Sequence, residues 1–425
     1  MITSNTISRH GIRRVAGVLA TVGLVAALSA CNATLTGIAQ PGEVDIRKLD
    51  VGSYPIEPVD IYEDYRPGFY AMDSVGAMRL ADYVATAEDV DQRFTYAVDS
   101  SDFSAGAPDG LLGRGDAVET ILKRNKMMFG FKSEGSDRPT SVLDFTWPEV
   151  SRTTPDATTV NLLVMQFPDA DAAKRTAGEL YDADFEANKD KNQPLALPKY
   201  QDARAHWRPG GTASRAFLAH GLYVAAVVLT VPKADPATLT SLTEAAYSTQ
   251  VPMLDQLKPL TDEEALHLPW DQDHILSRTL NPNELNKPGL GSTPAILGRR
   301  GILQFMPNRT QARKTFEAIG ADRFAMTDAA LLARGKDEAS AKKAVTEPLT
   351  IAPVGKPADA PPNVPDSVCM ENSTAGQASR TKAKRFTCIV AYRQYVSYLS
   401  ADQLLDAHQR TAAQYALLAN SQWQP

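Results

Sequence analysis

The sequence predicts an α+β protein made of two related ferredoxin-like β-α-β-β-α units with antiparallel sheets, the product of an internal duplication. Three observations carry this reading. "RAFLAHGLYV" (215–224) and "TCIVAYRQYV" (387–396) align without gaps at an offset of 172, sharing Ala219 with Ala391, Tyr223 with Tyr395 and Val224 with Val396. Each reads as a strand, a tight turn and a returning strand. Upstream, "DADAAKR" (169–175) and "DEASAKK" (337–343) lie at an offset of 168, each after an apolar strand candidate and each opening a helix. The two halves also keep the same element order.

In the first half the pattern gives a strand at 159–167, a helix at about 169–188, a strand at 203–208, a hairpin at 213–231 and a helix at about 236–255. Asp235 before Pro236 is a helix start, and Leu239, Leu242 and Ala246 follow at helical spacing. The second half gives a strand at 326–333, a helix at 336–346, a proline-rich loop at 351–367, a hairpin at 386–399 and a helix at 400–419. Ser400 with Gln403 reads as a capping box, and Leu404, Leu405, His408, Ala412 and Tyr415 fall on one helical face. Ahead of both, Ser74–Ala87 fits an amphipathic helix with Ala77, Leu80, Ala81 and Val84 inward, and Asp116–Met127 fits another. "LNPNELNKPGLGSTP" (280–294) reads as a link or long loop near the middle.

"VAALSACNATLTG" (25–37) indicates where the chain goes. Arg9, Arg13 and Arg14 precede an apolar run, Val15–Ala27, and small residues follow up to Cys31. That order is the layout of an export signal, and the run is too short and too early to remain as a spanning helix. Leu28, Ser29, Ala30 and Cys31 resemble a bacterial lipobox. The resemblance implies diacylglyceryl attachment to the Cys31 thiol and cleavage just before it. No Ser/Thr-Arg-Arg-x-Phe pattern surrounds Arg13 and Arg14, so the general secretory route is expected. The expected division is a signal peptide at 1–30, an acylated cysteine and flexible tether at 31–58, an N-terminal α+β unit with its helical lead-in at 59–265, and a C-terminal unit at 266–425. In an oxidising compartment Cys369 and Cys388 have only each other as partners, so a disulfide is expected, pinning the proline-rich loop to the last strand.

With 43% hydrophobic and 22% charged residues the exported part is an ordinary globule. The net charge of −6 becomes more negative once three signal-peptide arginines are removed, and no basic stripe is interleaved with aromatics. Nucleic acid is therefore excluded as an expected partner.

Chemistry is harder to find. Gly-x-Ser-x-Gly, His-Glu-x-x-His and the phosphate-loop pattern are all missing from the sequence. Ser340 with Lys343 and Ser379 with Lys382 have Ser-x-x-Lys spacing but lack its companion motifs. Of the histidines after the signal, His220 suits a hairpin turn before Gly221 and His408 the inner face of the last helix, leaving His206, His267 and His274. In "HLPWDQDH" (267–274), His267, Asp271, Asp273 and His274 could offer metal ligands, while Pro269 and Trp270 equally suggest a turn packed by an aromatic; no metal or other cofactor is expected. Tyr392, Tyr395 and Tyr398, with Tyr223, form a candidate ligand or partner surface, though such tyrosines also suit the half-buried face of a sheet. Arg393 at the turn reads as solvated.

The acylated start, "DIRKLDVGSYP", "GAMRLADYV" and "CIVAYRQYVSYLSADQLLDAHQRTAAQYALL" together resemble a family of uncharacterised actinobacterial surface lipoproteins over nearly the whole mature chain. That family implies no particular activity. A more distant similarity is to extracytoplasmic sensor domains of actinobacterial kinases, which are α+β modules with disulfides. The expectation is a lipid-anchored protein on the outer face of the cell membrane that binds or scaffolds a lipid, cell-wall or protein partner without catalysis, with a cleft between the units as its site. The alternative is an envelope hydrolase with an unfamiliar constellation.

Overall fold

The computed structural model describes residues 44–59, 65–138, 156–282, 287–290, 294–306, 308–347, 350–351, 355–372 and 384–421. The expected signal peptide, Cys31, residues 32–43 and the Ser379–Lys382 pair lie outside them.

The first half begins with two short helices, α1 (Gly76–Ala81) and α2 (Ala87–Val90), then runs β1 (Tyr96–Phe103), α3 (Gly115–Arg124), β2 (Phe129–Ser136), β3 (Thr159–Gln166), α4 (Ala170–Glu186), β4 (Gln193–Pro194), β5 (Arg204–Trp207), β6 (Ala213–His220), β7 (Tyr223–Thr230) and α5 (Pro236–Gln256). After α6 (Asp262–Leu266) the second half runs β8 (Ala295–Gly298), α7 (Arg309–Ala318), β9 (Arg323–Met326), β10 (Ala330–Arg334), α8 (Glu338–Thr346), β11 (Lys356–Ala358), β12 (Ser367–Glu371), β13 (Phe386–Tyr392), β14 (Tyr395–Ala401) and α9 (Leu404–Asn420).

Among the described residues each half forms a seven-stranded antiparallel sheet, ordered β1-β2-β3-β7-β6-β5-β4 and β8-β9-β10-β14-β13-β12-β11. Advancing every strand of the first sheet by seven gives the second. Helices also fall at the same three places in both halves: after the first strand, after the third and after the seventh. The chain is thus two related α+β units, each larger than the β-α-β-β-α core legible in the sequence. Local details repeat too. His220 pairs with Tyr223 across one hairpin and Tyr392 with Tyr395 across the other. The side chain of Asp169 accepts the Ala172 N–H at the start of α4, and that of Asp337 accepts the Ser340 N–H at the start of α8.

A buried glutamine on the last helix of each half grips the segment that leads into that half's sheet. Gln250 accepts the Ala85 N–H at 2.9 Å and donates to the Tyr83 carbonyl at 2.7 Å. Gln414 accepts the Leu280 N–H at 2.8 Å and donates to the Arg278 carbonyl at 2.8 Å. Each amide thereby satisfies a donor and an acceptor two residues apart on a backbone withdrawn from water. One apolar core then runs through both halves, from Phe131, Val164 and Tyr247 to Phe324, Ile389 and Tyr398, while a second lies between the first sheet and α3 and α4.

Several expectations need correction. Ala77, Leu80, Ala81 and Val84 are buried as expected, but the helix ends at Ala81, because the Tyr83–Ala85 backbone goes to Gln250 and Thr86 caps a new helix. Ser400 caps nothing. It lies in β14, its hydroxyl 3.0 Å from that of Thr387, and α9 starts after Gln403 without a side-chain cap. The buried face of α9 is centred on Ala407, Thr411 and Gln414, leaving Leu405 exposed and His408 at the surface, bonded to the Asp359 carbonyl at 2.6 Å. The described end of the expected tether is a strap docked on α9: Tyr54 donates to Asp406 at 2.5 Å, Asp50 accepts from Gln409 at 3.0 Å, and the Ile56 carbonyl accepts from Asn420 at 2.9 Å. Leu49 in this strap is buried. The Cys369–Cys388 disulfide is present, but it joins β12 to β13 rather than to the last strand.

Candidate functional site

A cleft of about 950 Å³ opens where the two halves meet. One wall is first-half helix: Met78 and Arg79 on α1, then Ser248, Thr249, Pro252 and Met253 on α5. Pro252 has no N–H, so the Ser248 carbonyl loses its usual helical donor on this side. The segment after α6 adds Leu268, Pro269 and Trp270. The second half closes the cleft with Ile296 and Gly298 on β8, Arg299 and Arg300 just beyond it, and Asp322 and Arg323 at the start of β9.

Asp82 latches the two walls together. Its carboxylate accepts the Gly298 N–H at 2.9 Å and the Gly301 N–H at 2.7 Å. A Cβ at position 298 would come within 2.6 Å of that carboxylate, so the close approach requires glycine. Burial raises the Asp82 pKa above the ordinary carboxylate range, against the pull of the Gly301 and Gly298 N–H groups and the Arg323 charge.

The arginines of the cleft divide into two kinds. Arg300 is paired with Asp89 at 2.7 Å and Arg323 with Asp273 at 3.1 Å, while Asp322 is committed to Arg334 at 2.8 Å. Arg79 and Arg299 have no carboxylate at ion-pair distance among the described residues. Arg79 donates through Nη2 to the Lys258 carbonyl at 2.6 Å, and its buried Nη1 has no acceptor among the described residues. Arg299 is exposed. The described lining contains no histidine and no cysteine.

Two profiles of one family cover most of the chain: "Domain of unknown function (DUF7373) N-terminal" over residues 63–270 and its C-terminal counterpart over residues 275–421. The chain belongs to the DUF7373 family. No curated protein matches it. Among solved structures, the extracellular domain of PknH from Mycobacterium tuberculosis is similar at 12% identity and a TM-score of 0.31, the match covering 44% of this chain and all of that one.

Most of the residues singled out in the DUF7373 sequence lie away from the cleft. Tyr223, Tyr392 and Tyr398 are buried, and Tyr223 is on the other sheet, so with Tyr395 they form no common surface. The physical reason is that helices cover both faces of each hairpin, so neither direction of the strand alternation reaches solvent. Tyr223 reaches the Leu257 carbonyl at 3.4 Å, Tyr392 packs edge-on against Tyr415 with centroids 5.1 Å apart, and Tyr395 takes Arg278 both on its hydroxyl at 3.2 Å and over its ring. Arg393 likewise lies over the Tyr392 ring. "HLPWDQDH" is an aromatic-packed turn in which Asp271 accepts the Leu276 and Ser277 N–H groups, Asp273 serves Arg323 and Arg334, and His267 meets the Glu263 carbonyl. It contributes Leu268, Pro269, Trp270 and Gln272 to the cleft, and Tyr65 and Tyr70 pack edge-on against Trp270. Among the described residues no three His, Cys, Asp or Glu side chains converge on a metal position. Ser340 and Lys343 sit on α8, with the Ser340 N–H held by Asp337, outside the cleft.

Two other polar groups stand out. Asp184 on α4 meets His206 at 2.9 Å and Arg215 at 2.7 Å in a cavity of about 300 Å³ also lined by Ser214. Burial raises the Asp184 pKa, but His206 and Arg215 outweigh it and hold the carboxyl below its usual range. Register separates the hydroxyl from this pair: His206 lies opposite Arg215 while Ser214 lies opposite Trp207, so His206 and Ser214 project from opposite faces of the sheet. On the turn before α1, Asp73 is pushed up to about 6 by burial and by the neighbouring Asp102 charge.

Arg79, Arg299 and Trp270 were missed from sequence because they come from segments far apart in the chain. The only available signal was the expectation of a cleft between related halves.

Proposed function

We propose that this chain is a lipid-anchored binding protein of the outer face of the cell membrane, with its ligand site in the cleft at the junction of the halves. The observation that carries the reading is the cleft itself. Its volume lies at the upper end of ordinary small-molecule sites, about 300–1,000 Å³, and its walls combine apolar side chains with a few cationic groups. Its two acids, Asp82 and Asp322, are engaged by backbone N–H groups and by Arg334, which favours binding over proton transfer. The separation of Ser214 from His206 likewise supports binding over hydrolysis. The address rests on the layout of residues 1–31, since two or more acyl chains at Cys31 suffice for stable anchoring.

The test is native mass spectrometry of the chain from residue 32, purified from its own envelope, before and after solvent extraction. A reproducible added mass that extraction removes is the expected result, and a bare polypeptide in every preparation counts against a retained ligand. For the anchor, incorporation of labelled fatty acid should be lost in Cys31→Ala; label that persists in the variant overturns the anchor.

A further inference from the structure

We propose that the cleft takes an amphiphile with an anionic phosphate or carboxylate head. This deepens the reading of the cleft as the ligand site and rests on it.

The charges set the head group. Pairing with Asp89 and Asp273 accounts for Arg300 and Arg323, and Asp322 is held by Arg334, so among the described residues Arg79 and Arg299 remain as two cations with no carboxylate at ion-pair distance, Arg299 feeling Asp322 only through its longer-range field. The Arg79 Nη1 is buried and lacks an acceptor among the described residues, an arrangement that is unfavourable until an oxygen reaches it. A guanidinium presents a planar fork that suits carboxylate and phosphate oxygens alike. Asp82 does not compete for these arginines, because its oxygens already accept from Gly298 and Gly301.

The remaining wall sets the tail. Pro252, Met253 and Leu268, backed by the buried Met78 and Trp270, give an apolar surface that a small inorganic anion would leave unused. A neutral lipid would cover that surface but would desolvate Arg79 and Arg299 without compensation. Only a ligand with both features satisfies both walls.

The experiment is calorimetric titration of the chain from residue 32, which retains the whole compact unit Asp45–Pro425. The probes, each below its micelle concentration, are dodecyl phosphate, dodecanoate, dodecyl maltoside and inorganic phosphate. The expected result is that dodecyl phosphate or dodecanoate binds at least about tenfold more tightly than the maltoside or inorganic phosphate. Arg79→Gln and Arg299→Gln should each weaken the anionic probe by about tenfold, the loss of one charge-assisted hydrogen bond, with the melting temperature unchanged for the exposed Arg299. The bulky Ser248→Trp and Thr249→Trp, made separately because one could disturb folding, should abolish binding. Equal binding of the maltoside, insensitive to the arginines, overturns the anionic head but leaves the cleft as the site. Equal binding of inorganic phosphate overturns the tail. No binding by any amphiphile overturns the class, and anionic binding that survives both tryptophans overturns the cleft as the site as well.

Discussion

Ala205 faces Ala216 across β5 and β6 in the first half, and Cys369 faces Cys388 across β12 and β13 in the second. These are the same places in the two sheets, closed by different means. The alanines lie in the large core beneath α5, with Leu195, Leu197, Leu239 and Tyr247 in the same cluster. The cysteines lie in a small satellite cluster with Phe386, Ala401 and Ala407. Where apolar contact is plentiful, two methyl groups suffice. Where it is sparse, a covalent bond takes over, limiting the unfolded chain rather than adding contact area. A duplicated frame therefore does not imply duplicated energetics.

The comparison can be broken most decisively at the disulfide. Replacing both Cys369 and Cys388 with alanine should lower stability in urea by roughly 3 kcal/mol, as expected for a loop of this separation. A loss below about 1 kcal/mol would mean that packing alone holds the second half as well. The next effect concerns the glutamine clamps. Gln250→Leu and Gln414→Leu should each cost about 2 kcal/mol in the same assay, since each strands a backbone donor and acceptor in the core. A clear loss for one variant and none for the other would show that the clamps match in geometry but not in energy.

The smallest effect sharpens a difference, because Asp73 sits in the first-half lead-in. Its folded pKa of about 6 exceeds the unfolded value of about 3.9, so the unfolded chain gives up this proton first as pH rises. Stability is then lost from about pH 4 to about pH 6, by at most about 1 kcal/mol for a half-exposed group screened by solvent. Asp73→Asn should match the parent's melting temperature near pH 4 and exceed it by pH 7. Parallel curves over that range would show that the carboxyl is not perturbed.

What the sequence revealed follows from which features depend on neighbouring residues. The hairpins at 213–231 and 386–399 and the aspartate starts at 169 and 337 were legible because alternation and capping act over a few residues. The β1-α3-β2 and β8-α7-β9 lead-ins escaped recognition as repeats because they share topology without shared spacing: β1 has eight residues and β8 four. Gln250 and Gln414 could not be recognised because a lone glutamine on a helix resembles a solvated residue until the segment it grips is known. The cleft was anticipated as a place between the halves, yet its residues were not, because Arg79, Trp270 and Arg299 meet only through the packing of the two units. The tyrosines misled because aromatic residues on strands signal sheet packing and binding surfaces equally well.

The strap on α9 bears on the order of folding. Its hydrogen bonds join residues 352 and 364 positions apart, among the most distant in the chain. Bringing such remote segments together is slow, and these contacts cannot form until the final helix has been made. A body whose first and last described segments close on each other in this way keeps that seam open until α9 has been made and packed.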